Sequence, residues 1–203
     1  MQEEIEVKFV DIDIDDIRKR LESVGAVIEQ PMRNMRRVLI EEEHHLKERS
    51  FIRIRDEGDK VTLCFKRRTL PDEETTINSV HECETTVGDF DTTVKIFQEA
   101  GWDYITYQET RRETWKRGDI EVVIDEWPWL EPMIEIEGTS EKAVRQMAEE
   151  LGFDWADAVY GSVDVVYHRD YPDMTVRGII DIKEARFTDP VPAVFGPKKE
   201  ASK

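Results

Sequence analysis

Polar and apolar residues alternate through Glu4-Ile5-Glu6-Val7-Lys8-Phe9. Successive side chains of an extended chain point to opposite faces, so Glu4, Glu6 and Lys8 share one face of a predicted strand and Ile5, Val7 and Phe9 share the other. Taken alone, such a stretch reads as a half-buried strand with a wet charged face. The alternation returns, however, in Phe51-Ile52-Arg53-Ile54-Arg55, His81-Glu82-Cys83-Glu84 and Ile134-Glu135-Ile136-Glu137. If these strands form one sheet, it has a charged face and an apolar face. Closing that sheet into a barrel would put acids and bases inside and leave the apolar face to be covered by helices.

The remaining pattern supplies those helices. Asp13 caps a predicted helix with Ile14, Ile17, Leu21 and Val24 on one face and Gly25 as its stop. Residues 26–29 and 35–42 read as two strands separated by Pro31. Residues 51–56 and 60–68 flank Glu57-Gly58-Asp59, the signal of a hairpin. After a polar loop over 69–79, a strand over 80–87 leads into a helix carrying Phe90, Val94, Phe97 and Ala100, stopped by Gly101. Strand, capped helix, glycine and strands thus occur twice, a weak internal duplication. A second hairpin turns at Lys116-Arg117-Gly118, a strand spans 132–138, and Thr139 or Ser140 caps a helix with Ala143, Val144, Met147 and Leu151. Trp155 and Tyr160 are expected to pack back on the domain, Met174 to Ile182 to add a strand, and the segment from Pro190 to Lys203 to be disordered.

A chain of 203 residues suits one domain with a short appendage. Its net charge of −17 argues against nonspecific binding to nucleic acid or an anionic membrane, so any polyanion must meet a local basic site. A mean hydropathy of −0.60 and an acidic start predict no transmembrane helix and no signal peptide, and hence a cytoplasmic protein. Two cysteines, Cys64 and Cys83, and four histidines without ligand spacing offer no thiolate or imidazole metal site.

Parity assigns acids Glu4, Glu6, Glu82, Glu84, Asp125, Glu135 and Glu137, and bases Lys8, Arg53, Arg55, Lys66 and Arg112, to the inner face. Unpaired, such charges would be ruinous to bury. Clustered carboxylates suit a hard divalent cation, Mg2+ or Mn2+. Gathered Arg and Lys suit phosphate oxygens. A metal-bound polyphosphate satisfies both; a cationic ligand or a nucleic acid satisfies only one, and a basic aromatic strip for nucleic acid is lacking.

These residues resemble a known family. Glu4-Ile5-Glu6-Val7-Lys8 is similar to the Glu-x-Glu-x-Lys signature of the CYTH superfamily, the triphosphate tunnel metalloenzymes that include class IV adenylyl cyclases and thiamine triphosphatases. Arg53-Ile54-Arg55, Leu63-Cys64-Phe65-Lys66, Glu82-x-Glu84, Arg112-Glu113-Thr114-Trp115, Ile124-Asp125 and Leu130 to Glu137 resemble its later motifs, in family order. Cys64 stands where Thr is usual, Thr110 where Lys is frequent, Glu131 for Gly and Met133 for Phe. Arg37-Val38-Leu39 replaces the Asp-x-Tyr of cyclase-like members. The resemblance implies an α+β fold, a closed eight-stranded antiparallel β-barrel with a charged interior and helices packed outside. It places a triphosphate tunnel domain at 1–170 and an extension at 171–203. It implies catalytic roles for Glu4, Glu6 and Lys8, and substrate binding by Lys8, Arg37, Arg53, Arg55, Lys66 and Arg112. Glu4, Glu6, Glu82, Glu84, Asp125, Glu135 and Glu137 would hold the metal. Surface ion pairs are expected of Arg36, Arg67, Arg111 and Arg117. The expected function is metal-dependent action on a nucleoside or inorganic triphosphate, with hydrolysis placed ahead of cyclisation of ATP to cAMP. The alternative is a noncatalytic polyphosphate or nucleotide sensor. The partner is a triphosphate-containing small molecule, with no nucleic acid or membrane, and the family tendency allows a homodimer.

Overall fold

The computed structural model describes residues 5–69, 79–175 and 177–199. Strands β1 (Ile5–Val10), β2 (Val27–Ile40), β3 (Ser50–Asp56), β4 (Val61–Thr69), β5 (Ser79–Val87), β6 (Thr106–Arg117), β7 (Ile120–Glu126), β8 (Met133–Gly138) and β9 (Glu184–Ala185) form one sheet. Helices α1 (Ile14–Ser23), α2 (Glu43–Glu48), α3 (Phe90–Glu99), α4 (Glu141–Glu150) and α5 (Val163–Asp170) accompany it. The strand order is β1-β8-β7-β6-β2-β3-β4-β5, antiparallel throughout, with the two-residue β9 parallel to the start of β6. Among the described residues no helix is long and apolar enough to cross a membrane.

The expected closed eight-stranded barrel is not what the backbone makes. The α+β class holds, but among the described residues no hydrogen-bonded pairing joins β1 to β5. Physical reasons are visible at both edges. On β1, the Lys8 backbone N–H donates to the Val159 carbonyl at 3.0 Å and its carbonyl accepts from the Val159 N–H at 2.9 Å, so the returning chain occupies part of that edge. On β5, Cys83 to Thr86 are exposed, and the charge of Glu84 discourages further pairing. The sheet therefore curls without closing.

Its apolar face is covered as the alternation requires. Val7 and Phe9 of β1 and Ile134 and Ile136 of β8 pack with Ile17 and Leu21 of α1 and Val144 and Met147 of α4. Each fully buried aliphatic side chain there contributes about 1.5–3 kcal/mol. Asp13, Asp89 and Ser140 cap α1, α3 and α4 by accepting from the backbone N–H of Asp16, Thr92 and Ala143. At the end of α1, Gly25 takes φ +78°, a conformation glycine adopts without strain, and lets its own N–H and that of Ala26 donate to Glu22 and Leu21. Phe90 and Val94 of α3 cover Val38, Ile40 and Ile54.

Two further expectations change. Pro31 does not split β2, because the register against β6 shifts between Gln30 and Arg33, across Pro31 itself, and β3 pairs only from Arg36 onward, so no ladder bond needs its missing N–H. Among the described residues of 174–182, Gly178–Asp181 form a 3-10 turn instead of a strand. Of the segment from Pro190 to Lys203, residues 190–199 are among the described ones, with Phe195 fully buried against Trp129, Tyr167 and Tyr171, and residues 200–203 lie outside them.

Candidate functional site

The charged face encloses an open cavity of about 1100 Å³ lined by side chains from β1 through β8 and by α5 and the turn after it. Glu6, Lys8, Arg37, Arg53, Arg55, Lys66, Glu82, Glu84, Arg112, Asp125, Glu135 and Glu137 all line it. Glu4 lies outside the described residues. Cross-strand register explains the convergence: β1 against β8 pairs Glu6 with Glu137 and Lys8 with Glu135, β3 against β4 pairs Arg53 with Cys64, and β4 against β5 pairs Cys64 with Glu84 and Lys66 with Glu82.

The acids do not form a single group. Glu6, Glu135 and Glu137 each offer one oxygen within 4.8 Å of the others, an arrangement that could hold a hard cation. Lys8, 4 % exposed, lies 3.0 Å from Glu6, 3.4 Å from Glu135 and 2.9 Å from the Gly161 carbonyl. Burial alone would lower its pKa, but Glu135 and Glu6 hold it above the ordinary lysine value. Burial likewise works to raise Glu135, yet Lys8 and Arg112 outweigh it and hold that carboxyl at about 2. Glu6 moves the other way, raised by burial and by Glu135 against the pull of Lys8. Like charges in one site divide their titrations in this manner.

Glu82 and Glu84 belong to a second group with Cys64. Arg53 lies 3.2 Å from each acid, and Lys66 lies 2.7 Å from Glu82. The Cys64 thiol donates to Glu82 at 2.8 Å, and burial together with that carboxylate pushes the thiol up to about 12, so it stays protonated. Asp125 sits with neither group: both its oxygens accept from Arg112, at 2.7 and 2.5 Å, in a bidentate pair.

Two remaining cations are less neutralised. Arg55 pairs with Glu57 at 2.7 Å, but burial and then Arg53 and Arg112 bring its pKa down to about 10. Arg37 donates to the Gln108 side chain at 2.8 Å and lies over the Trp127 ring, 4.4 Å from its centroid. Among the described residues no carboxylate lies within 4.0 Å of it. Burial, then Arg53, Arg55 and Arg112, pull Arg37 down to about 9.

Sequence reasoning overlooked several contributors. Glu57 reads as a hairpin turn residue, yet it is 5 % exposed and held ionised by Arg55 and Lys60 against the effect of its burial. Gln108 shares parity with Arg112 and was findable that way; it is fully buried. Nothing in the pattern announced that Ser162, Asp164 and His168 of the α5 region line the cavity. Arg36, Arg111 and Arg117 form the expected surface ion pairs with Asp56, Glu126 and Glu150.

Comparison with solved structures places this fold among others of its kind. PH1012 protein from Pyrococcus horikoshii aligns with a TM-score of 0.64 at 21 % identity, over 77 % of this chain and 94 % of that one. A candidate adenylate cyclase from Vibrio parahaemolyticus aligns with a TM-score of 0.67 at 10 % identity, over 81 % and 98 %. The candidate adenylyl cyclase HpAC1 from Hippeastrum, described as having a dominant triphosphatase activity, aligns with a TM-score of 0.53 at 15 % identity, over 80 % and 91 %. No curated protein matches the chain. The CYTH domain family model matches residues 2–159. The chain belongs to the CYTH domain family.

Proposed function

We propose that this protein is a metal-dependent enzyme acting on a triphosphate-bearing substrate, with hydrolysis as its first reaction and cyclisation of ATP as the second. The observation that carries the reading is the convergence of Lys8, Arg37, Arg53, Arg55, Lys66 and Arg112 on one cavity in a chain of net charge −17. Burial and then mutual repulsion lower Arg37 and Arg55, and a polyanion relieves the repulsion. Guanidinium groups would grip phosphoryl oxygens in pairs, while Asp125 holds the Arg112 fork in orientation and Glu82 and Glu84 hold Arg53 and Lys66.

The oxygen donors of Glu6, Glu135 and Glu137 fit Mg2+ or Mn2+. Such an ion, when bound, supplies charge neutralisation at the phosphoryl oxygens. Lys8, fixed by Glu6, Glu135 and the Gly161 carbonyl, keeps its proton and presents positive charge where negative charge develops on the transferred group. Hydrolysis ranks first because it asks only for a polyphosphate grip and a water. Cyclisation also requires the ribose 3'-hydroxyl to be set against the α-phosphorus.

Chromatography after incubation with ATP or inorganic triphosphate, with Mg2+ or Mn2+, tests this. Orthophosphate release that disappears on chelation is the expected result. Cyclic AMP with pyrophosphate would replace hydrolysis by cyclisation, and tight calorimetric binding without turnover under either metal would leave a sensor.

A further inference from the structure

Arg37 ends a short run of hydrogen bonds whose direction is fixed from the far end. The β2–β6 register sets Arg37 opposite Gln108, and the Arg37 Nε–H donates to the Gln108 side-chain oxygen at 2.8 Å. The Gln108 amide nitrogen donates to the Thr106 hydroxyl at 3.4 Å, two residues along the same face of β6. Thr106 in turn donates to the Ile182 carbonyl at 2.6 Å. Thr106 and Gln108 are both fully buried, so bulk water does not stand in for a missing partner.

A carbonyl oxygen only accepts, so the one hydroxyl proton of Thr106 is committed to Ile182 and only its lone pairs face Gln108. The amide must then turn its NH2 toward Thr106 and its oxygen toward Arg37. Flipped, it would set two donors against a guanidinium and an oxygen against lone pairs. With Nε–H taken, the Nη1 and Nη2 protons of Arg37 are left for a ligand.

The anchor comes from the end of the chain, beyond residue 159, where the family match stops. β7 pairs with β6 only from Arg111 to Arg117, and β9 fills the edge left beside the first half of β6. There the Tyr107 N–H donates to the Lys183 carbonyl at 2.8 Å, and the Glu109 side chain accepts from the Phe187 N–H at 3.1 Å and lies 3.4 Å from Arg186. The Ile182 N–H donates to the Ile179 carbonyl at 3.1 Å, which ties the anchor to the preceding turn. Trp127, over which Arg37 lies, belongs to a core shared with that turn.

We propose that Gln108 is a positioning residue for Arg37, that Thr106 fixes the sense of its amide, and that the Ile182 carbonyl anchors Thr106, so that the end of the chain takes part in the polyphosphate grip through Arg37. The inference rests on the triphosphate reading of the charged face. The extension then acts on the substrate at one remove, by holding the direction of one cation.

The test measures kcat/KM for inorganic triphosphate or ATP, whichever the unaltered protein turns over faster, with Mg2+ or Mn2+. Calorimetric affinity replaces it if the protein binds without turnover. Thr106→Val keeps the shape of the side chain and removes the hydroxyl, freeing the amide to flip, and should lower the value about tenfold. Thr106→Ser keeps the hydroxyl and should stay within about twofold of the parent. In an Arg37→Gln background, Thr106→Val should change the value by less than about twofold, because the group it misdirects is gone. Gln108→Met, of similar length without the amide, should show the same loss and the same dependence on Arg37, and serves if Thr106→Val fails to fold. An equal loss with and without Arg37, a loss in Thr106→Ser as large as in Thr106→Val, or no loss in a variant that melts within a few degrees of the parent overturns the positioning role. Loss of the fold in both Thr106→Val and Gln108→Met also overturns it, by making the pair structural. Neither turnover nor binding by the unaltered protein would overturn the proposed function along with this inference, so the parent alone tells the two failures apart.

Discussion

Arg37 is the cation that the protein leaves most in need of a partner. Arg112 is also surrounded by positive charge, but Asp125 and then Glu135 hold its pKa above the ordinary value despite burial. Arg37 has a neutral amide, an aromatic face and three guanidinium neighbours. Replacing it by glutamine has two opposed effects on the unliganded fold: repulsion falls, and the Gln108 carbonyl loses a charged donor worth about 1.5–3 kcal/mol. Arg37→Gln is therefore expected to change unliganded stability by less than ~1 kcal/mol in urea unfolding. It should weaken inorganic triphosphate binding roughly 10- to 100-fold by calorimetry, since a charged hydrogen bond to phosphate has no replacement. A large loss of stability with unchanged affinity would make Arg37 a structural residue. In the sequence this side chain was singled out by the family resemblance and not by alternation. Neither could expose Glu57, whose burial arises from the hairpin folding back onto Arg55.

At the scale of elements, α1 is tied to β6 by a polar contact on the apolar side of the sheet. Glu113, 3 % exposed, accepts from Arg18 Nη2 at 2.8 Å and Nε at 3.1 Å and from the Trp115 indole at 2.8 Å. Burial works to raise its pKa, but the Arg18 and Trp115 hydrogen bonds hold it below the ordinary 4.5. A depressed carboxyl contributes stability above its unfolded pKa and loses it as pH falls through the folded value. Glu113→Ala leaves the buried Trp115 N–H without an acceptor and should cost about 1–3 kcal/mol near neutral pH. Urea titrations should show the gap from the parent narrowing below pH ~4.5; a gap independent of pH would remove the charge from the explanation. Helix α1 was legible because its cap, apolar spacing and stop all agree. Helix α5 was not: Val163, Val165 and Val166 are β-branched, which disfavours helix locally, and the element is held by burying Val163, Val166 and Tyr167 at helical spacing.

For the whole molecule, the pattern specified which faces are charged and apolar but not whether the sheet's edges meet, because closure depends on strand tilt and on what else reaches an edge. Val159 reaches β1, and the chain beyond it packs over the end of the cavity with a core of its own, joining Trp127 and Met133 to α5 and to residues as distant as Phe195. Phe195 has ring centroids of Tyr171, Trp129 and Tyr167 at 5.2, 5.4 and 5.9 Å. If this segment folds as one unit with the sheet, Phe195→Ala should cost about 3–5 kcal/mol and lower the melting temperature by roughly 10 °C in a single calorimetric transition. An early, separate transition with the main one unmoved would mean that the segment is docked on an independently stable sheet. The first outcome follows from the geometry, because Trp127 continues directly from β7 and Met133 begins β8, so no surface separates the aromatic cluster from the strands that carry Asp125 and Glu135. Loosening Phe195 therefore disturbs the end of the cavity that Ile179 and Val163 line, through contacts within one shared core.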